Sequence, residues 1–197
     1  MDKIMEKKNF WDETARYGTI LGGILALSFI LETSMSLSGR MSLYTLLGLE
    51  WIVVVVLHYY LLHRFTRQYS TRYSAEEGFS FGQGYAYLMA VSGFAGVIVG
   101  VVQAVYLHLV MGYETYTERM TAAITEILSS GGEVPAQMEG MVEQLIDQMQ
   151  SAATPSVLST VWGGIANSLL FGAFFGLIIA GVLSRAPRPF DTSDNLE

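Results

Sequence analysis

Three polar side chains stand inside long apolar runs: Glu50 in Gly48-Leu49-Glu50-Trp51, Gln103 in Val101-Val102-Gln103-Ala104 and Asn167 in Ile165-Ala166-Asn167-Ser168. A carboxyl and two carboxamides can bind a small polar solute or relay a proton, and each needs a hydrogen-bond partner wherever hydrocarbon replaces water. Counted from one end of their runs they lie about seven, eight and ten residues in, and at ~1.5 Å per residue they share a layer roughly 10 to 15 Å deep. The layer is a candidate polar site. Its structural alternative is an internal hydrogen-bond network that fixes helix register.

Other chemistry finds little support. His58 and His63 are five apart and so do not share a helix face, His108 stands alone, and no metal site is expected. Cysteine is absent, which excludes disulfides, thiolate metal sites and cysteine nucleophiles. Methionines between residues 113 and 154 recur at helical spacing, the pattern of adaptable packing rather than soft-metal binding. Glu139, Glu143 and Asp147 form a same-sign ladder that reads as a solvated face, with a cation-attracting patch as the sharper alternative. There is no Gly-x-Ser-x-Gly elbow, His-Glu-x-x-His helix or Gly-Lys-Ser/Thr loop, and Ser168 beside Asn167 has no nearby histidine to act as base. Phe81-Gly82-Gln83-Gly84-Tyr85 has the glycines of a phosphate loop but no preceding strand. No catalytic residue, cofactor or metal follows, and a non-enzyme is expected.

The elements that must position the polar layer are membrane spans. Half the residues are apolar (51%) and mean hydropathy is +0.38, which points to lipid as the solvent. Four apolar runs near the ~20 residues that cross a bilayer cover about 15–35, 43–63, 84–112 and 156–184. The fold class is therefore an all-α polytopic membrane protein: one domain of four transmembrane helices plus an amphipathic helical hairpin over about 113–154. In that hairpin Met120, Ile124, Ile127 and Leu128, then Met138, Met141, Val142, Leu145 and Met149, recur at helical spacing around Ser129-Ser130-Gly131-Gly132. Asp12 and Glu13 before the first run disfavour a cleavable signal peptide, which carries a basic flank there. Arg16 and Glu32, near the ends of that run, can snorkel to the interfaces. The third run is longer than a perpendicular helix needs and should tilt or project. Thr154 is the expected N-cap of the fourth, with Pro155 at its first position.

Small residues recur every fourth position in three runs: Gly18 and Gly22 in the first, Gly96 and Gly100 in the third, Gly172 and Gly176 in the fourth. Such stripes let backbones approach, either within the bundle or between two copies of the chain. The second run has no stripe, and its Val53 to Val56 segment suits a peripheral, lipid-facing helix with Glu50 marking the inward face.

Basic residues orient the bundle. Lys3, Lys7, Lys8, Arg16, Arg64, Arg67, Arg72, Arg185 and Arg188 flank one side, Arg40 and Arg119 the other, so nine against two puts both termini in the cytoplasm and the acidic hairpin outside. A net charge of −7 with no basic stripe excludes nucleic acid as a partner.

Asn9-Phe10-Trp11 with Ala15-Arg16-Tyr17-Gly18, Phe79-Ser80-Phe81-Gly82-Gln83-Gly84, the Met/Glu-rich hairpin and Phe171-Gly172-Ala173-Phe174-Phe175-Gly176-Leu177-Ile178-Ile179 occur in an order and spacing that resembles bacterial inner-membrane proteins of the domain of unknown function 4199 family. The resemblance implies a four-span architecture and an inner-membrane location, and no activity, substrate or site residue. Tight small-residue packing, the amphipathic external hairpin and the missing catalytic groups lead instead to the expectation of a non-enzymatic accessory or scaffold subunit of an envelope complex, its partners being the bilayer and another membrane protein or a second copy. A carrier or flippase for a small or lipid-linked substrate is the alternative, and it needs a cavity at Glu50, Gln103 and Asn167.

Overall fold

The computed structural model describes residues 2–130 and 136–187. It is 85% helical, with six α-helices and no strand among the described residues. The helices are α1 (Asp2–Ser36), α2 (Met41–Ser70), α3 (Phe81–Ala104), α4 (Tyr113–Ser130), α5 (Ala136–Ser151) and α6 (Val157–Leu183). Four segments are long and apolar enough to cross a bilayer: Phe10–Ser36, Ser42–Ser70, Phe81–Met111 and Val157–Leu183. This is an all-α polytopic membrane protein. α1, α2, α3 and α6 bring their ends together at a terminal side, where the α2–α3 loop meets the end of α6, and at a hairpin side, where α4 and α5 are inserted.

The boundaries depart from the sequence expectation in instructive ways. Helix α2 runs seven residues past His63, because Phe65, Thr66 and Ser70 bury against the bundle while Arg64 and Arg67 stay exposed. Helix α3 continues as a π-helical stretch, Val105–Met111, and stops at Gly112, whose φ of +82° suits only glycine. At the start of α6 the cap is Ser156 rather than Thr154: its hydroxyl accepts from the Ser159 N–H at 3.1 Å, which leaves Pro155 outside the helix. The hairpin turn at Gly131-Gly132 and the side chains of Met138, Glu139 and Glu143 lie outside the described residues.

Glycine-mediated approach joins α1, α3 and α6 into one unit. A Cβ on Gly96 would come within 2.8 Å of the Ile165 Cα, and one on Gly164 within 2.5 Å of the Gly100 Cα, so α3 and α6 touch backbone to backbone. Gly100 faces the Val161 carbonyl, Gly172 faces Ser92, and Gly18 and Gly22 bring α1 against Val91 to Ile98 of α3. Gly176 differs, since the nearest neighbour of an added Cβ is the Tyr85 ring at 3.2 Å, a side chain that can move.

α2 lies outside this unit. It is anchored at its terminal end by the fully buried Leu62 and by Phe65, which stacks on Tyr17 at 4.2 Å. Towards the hairpin side Leu46, Leu49, Ile52, Val53 and Val56 are exposed, as expected of a lipid-facing helix. The four consecutive valines do not act as one wall, however: Val54 and Val55 turn inward.

Candidate functional site

Between α2 and the α1–α3–α6 unit lies a cavity of about 140 Å³. α1 contributes Leu25, Ser28, Phe29 and Glu32, spaced as one helix face; α2 contributes Trp51, Val54, Val55 and His58 on the same principle. Val99 and Gln103 of α3 and Asn167, Ser168 and Phe171 of α6 complete the wall. Measured along the helices, Glu32 is about 6 Å from the hairpin-side end of α1, Asn167 about 15 Å from that end of α6, and His58 just past the middle of α2. Trp51, at 56% exposure, and Asn167, also exposed, mark a lateral mouth between α2 and α6 at the depth of the acyl chains.

The expected polar layer is distributed differently from the sequence reading. Gln103 and Asn167 line the cavity together. Glu50 is half-buried and faces inward, but it meets α1: the Ser28 hydroxyl donates to Glu50 Oε1, and Ser28 is itself a lining residue. The expected bond to Gln103 or Asn167 is not among those formed, because α2 leans on α1 at this level rather than on α3. Glu32, expected only to reach an interface, lines the cavity and lies within electrostatic reach of Glu50.

His58 enters the sequence reading only as an unsuitable metal ligand, yet it stands in the cavity wall. It is 6% exposed, its ring sits against Phe175 at 5.4 Å and Phe171 at 6.1 Å, and its Nε2 is buried with no hydrogen-bond partner from the protein. A buried polar atom of this kind calls for a partner. The signal was available: Ser28 and Glu32 are four apart on α1, and Trp51 and His58 seven apart on α2, so each pair shares a face. What the sequence withheld was that those two faces oppose each other.

The cavity is closed towards the terminal side. Leu62, Tyr87, Leu88 and Val91 are fully buried there, and Tyr69 stacks flat on Tyr87 at 4.2 Å. Below them the Arg72 guanidinium lies 2.6 Å from the Glu13 carboxylate, and the Tyr17 hydroxyl donates to Gln68 at 2.9 Å. Arg185 Nη2 donates to the Ser70 and Tyr73 carbonyls at 2.8 and 2.6 Å, and residues 79 and 185 form a two-bond antiparallel bridge. At the hairpin side the ties include single hydrogen bonds, Ser34 to Tyr106 at 3.2 Å, His108 to Thr160 at 2.9 Å and the Tyr44 hydroxyl to the Ser36 carbonyl at 2.9 Å, with Phe29 edge-on to Tyr106 at 6.1 Å. Burial, with Tyr113 and Glu32 nearby, pushes the Tyr116 phenol above its ordinary value, so it stays protonated beside this end.

The glycines of Phe81-Gly82-Gln83-Gly84 do not make a phosphate cradle. Ser80 accepts from the Gln83 N–H at 3.2 Å while Gln83 Oε1 accepts from the Ser80 N–H at 2.8 Å, a capping box that occupies donors at the start of α3. No cluster of three or more metal-ligating side chains occurs among the described residues.

The profile of the family described as "Protein of unknown function (DUF4199)" matches residues 16–185. The chain belongs to the DUF4199 family. The matched stretch contains every residue that lines the cavity, so the cavity lies within the family domain, whereas Glu13 of the terminal seal falls just before it. No curated protein and no solved structure matches the chain.

Proposed function

We propose that this DUF4199 protein is a non-enzymatic, membrane-embedded binding protein of the carrier class, which takes a small ligand into the cavity between α2 and the α1–α3–α6 unit. One observation carries the reading: His58, only 6% exposed and with an unpaired Nε2, stands in the wall of a cavity also lined by Glu32, Gln103, Asn167 and Ser168. A polar atom buried without a partner at membrane depth is costly unless something pairs with it. A cavity near 140 Å³ is comparable to the ~150 Å³ engineered cavity that admits benzene, which suits a compact molecule or headgroup and not a lipid-linked oligosaccharide. A lateral mouth at the depth of the acyl chains, with the terminal side sealed, gives a ligand access from the bilayer.

The placement that goes with this proposal is the cytoplasmic membrane, with both termini inside and the acidic hairpin outside, supported by the nine-to-two distribution of basic residues. The accessory-subunit role keeps support from α5, where Met141 is 72% exposed and Leu145 48% exposed on a helix of alternating apolar and acidic character. A thermal-shift screen of cationic, neutral and anionic small molecules against the purified protein tests the carrier reading. A stabilising compound whose effect disappears in Val54→Phe, which fills the cavity from the loosely held helix, supports it. Absence of any such compound, together with a stoichiometric protein partner on mild-detergent purification, assigns the accessory role instead.

A further inference from the structure

Charge and shape in the cavity select among ligands. Glu32 lines it, Glu50 is tied to the lining Ser28, and no Lys or Arg is among the lining residues. With no basic residue on the wall an anionic ligand finds no countercharge, whereas a cationic one finds two neighbouring carboxyl groups. Three aromatic rings, Phe29, Trp51 and Phe171, stand in the wall beside the aliphatic Leu25, Val54, Val55 and Val99. Aromatic faces attract an organic cation through the ring quadrupole, most strongly where water is excluded. They offer little to a hydrated metal ion, which prefers several oxygen ligands. The His58 Nε2, buried beside the cavity and without a partner, can accept one N–H or O–H from such a ligand once the ring turns its lone pair towards it.

Resting on the carrier-class reading above, we infer that the cavity recognises an alkylammonium group, with Glu32 and Glu50 supplying the countercharge and Trp51, Phe29 and Phe171 the aromatic walls. The group can arrive as a free amine from the hairpin side or as the ammonium headgroup of a lipid through the lateral mouth beside Trp51 and Asn167.

The test titrates choline and its uncharged carbon isostere, 3,3-dimethyl-1-butanol, into the full chain in nanodiscs, read by calorimetry and by Trp51 fluorescence with Trp51→Phe as control. Choline should bind, the isostere should bind at least about tenfold more weakly, and Glu32→Gln and Glu50→Gln should each weaken choline by about tenfold. Unchanged thermal stability of the two variants, and partial recovery in Glu50→Asp, separate lost binding from lost folding. Nanodiscs of phosphatidylglycerol alone, against ones rich in phosphatidylethanolamine, distinguish the sources: suppression of choline binding by the latter identifies the lipid headgroup, and its absence identifies the free amine. Equal or tighter binding of the isostere overturns the cation assignment and leaves the carrier-class reading standing. Binding of neither probe, with no stabilising compound from the broader screen, overturns both.

Discussion

In the half of the bundle near the termini, Leu62, Tyr87, Leu88 and Val91 exclude all solvent, two aromatic pairs stack at 4.2 Å, and Arg185 and the Glu13–Arg72 pair lash loop to helix. In the half near the hairpin, the same four helices enclose Glu32, Gln103, Asn167 and His58 around a cavity, and α2 leaves much of its apolar surface to lipid. Apolar burial does not distinguish a protein core from lipid tails, so the first half is held by close packing and hydrogen bonds. The second half keeps close packing between α3 and α6, at Gly100, Val161 and Gly164, and forgoes it along α2. The lesson is one of division of labour: a rigid, cross-linked end lets the other end keep a polar interior without collapsing around it.

The sharpest way to break this contrast is at the α3–α6 crossing, which belongs to both halves. Gly100→Leu drives a side chain into the Val161 backbone and should cost on the order of 3 kcal/mol, read by unfolding in mixed detergent micelles. Unchanged stability would mean that α3 and α6 do not cross there. Arg185→Ala removes two charge-assisted hydrogen bonds to carbonyls and should cost about 2 kcal/mol, with increased proteolysis of the residue 71–80 loop as a second readout. Gly176→Leu and Glu13→Gln should each cost about 1 kcal/mol, the first because the Tyr85 ring can yield, the second because Arg72 is half-exposed and re-solvates. A loss from Gly176→Leu equal to that from Gly100→Leu would show that the Tyr85 ring is locked. At the bottom of the series, Glu50→Gln keeps an acceptor for Ser28 and should leave stability within about 0.5 kcal/mol of wild type, as should Val53→Leu on the lipid face. A large loss in Glu50→Gln alone would make the carboxylate a structural tie, and the cavity half would then be built like its opposite.

Orientation is open to a separate measurement, because the chain contains no cysteine of its own. Cysteines at Ser74 and Ser151, exposed on opposite sides, should differ towards an impermeant thiol reagent on intact spheroplasts, with only Ser151 reacting. The reverse result would put the hairpin side, and with it the Glu32 end of the cavity, nearest the cytoplasm.

The sequence by itself determined the number of crossing helices, since a backbone in hydrocarbon must satisfy its own hydrogen bonds and only runs of about 20 apolar residues do so as helices. It also determined where backbones could meet, because only residues without bulky side chains permit the approach at Gly96, Gly100 and Gly164. It marked Glu50, Gln103 and Asn167 as polar groups at similar depth, which follows from the fixed rise of a helix. Which of them touch was decided by the tertiary structure. Depth is a one-dimensional quantity, and rotation of α2 about its axis, set by Leu62 and Phe65 at its far end, gave Glu50 to Ser28 and set His58 in the cavity wall. The lean of α2 away from the tight three-helix unit is likewise invisible in any single helix, because a Val or Leu face serves lipid and protein equally well.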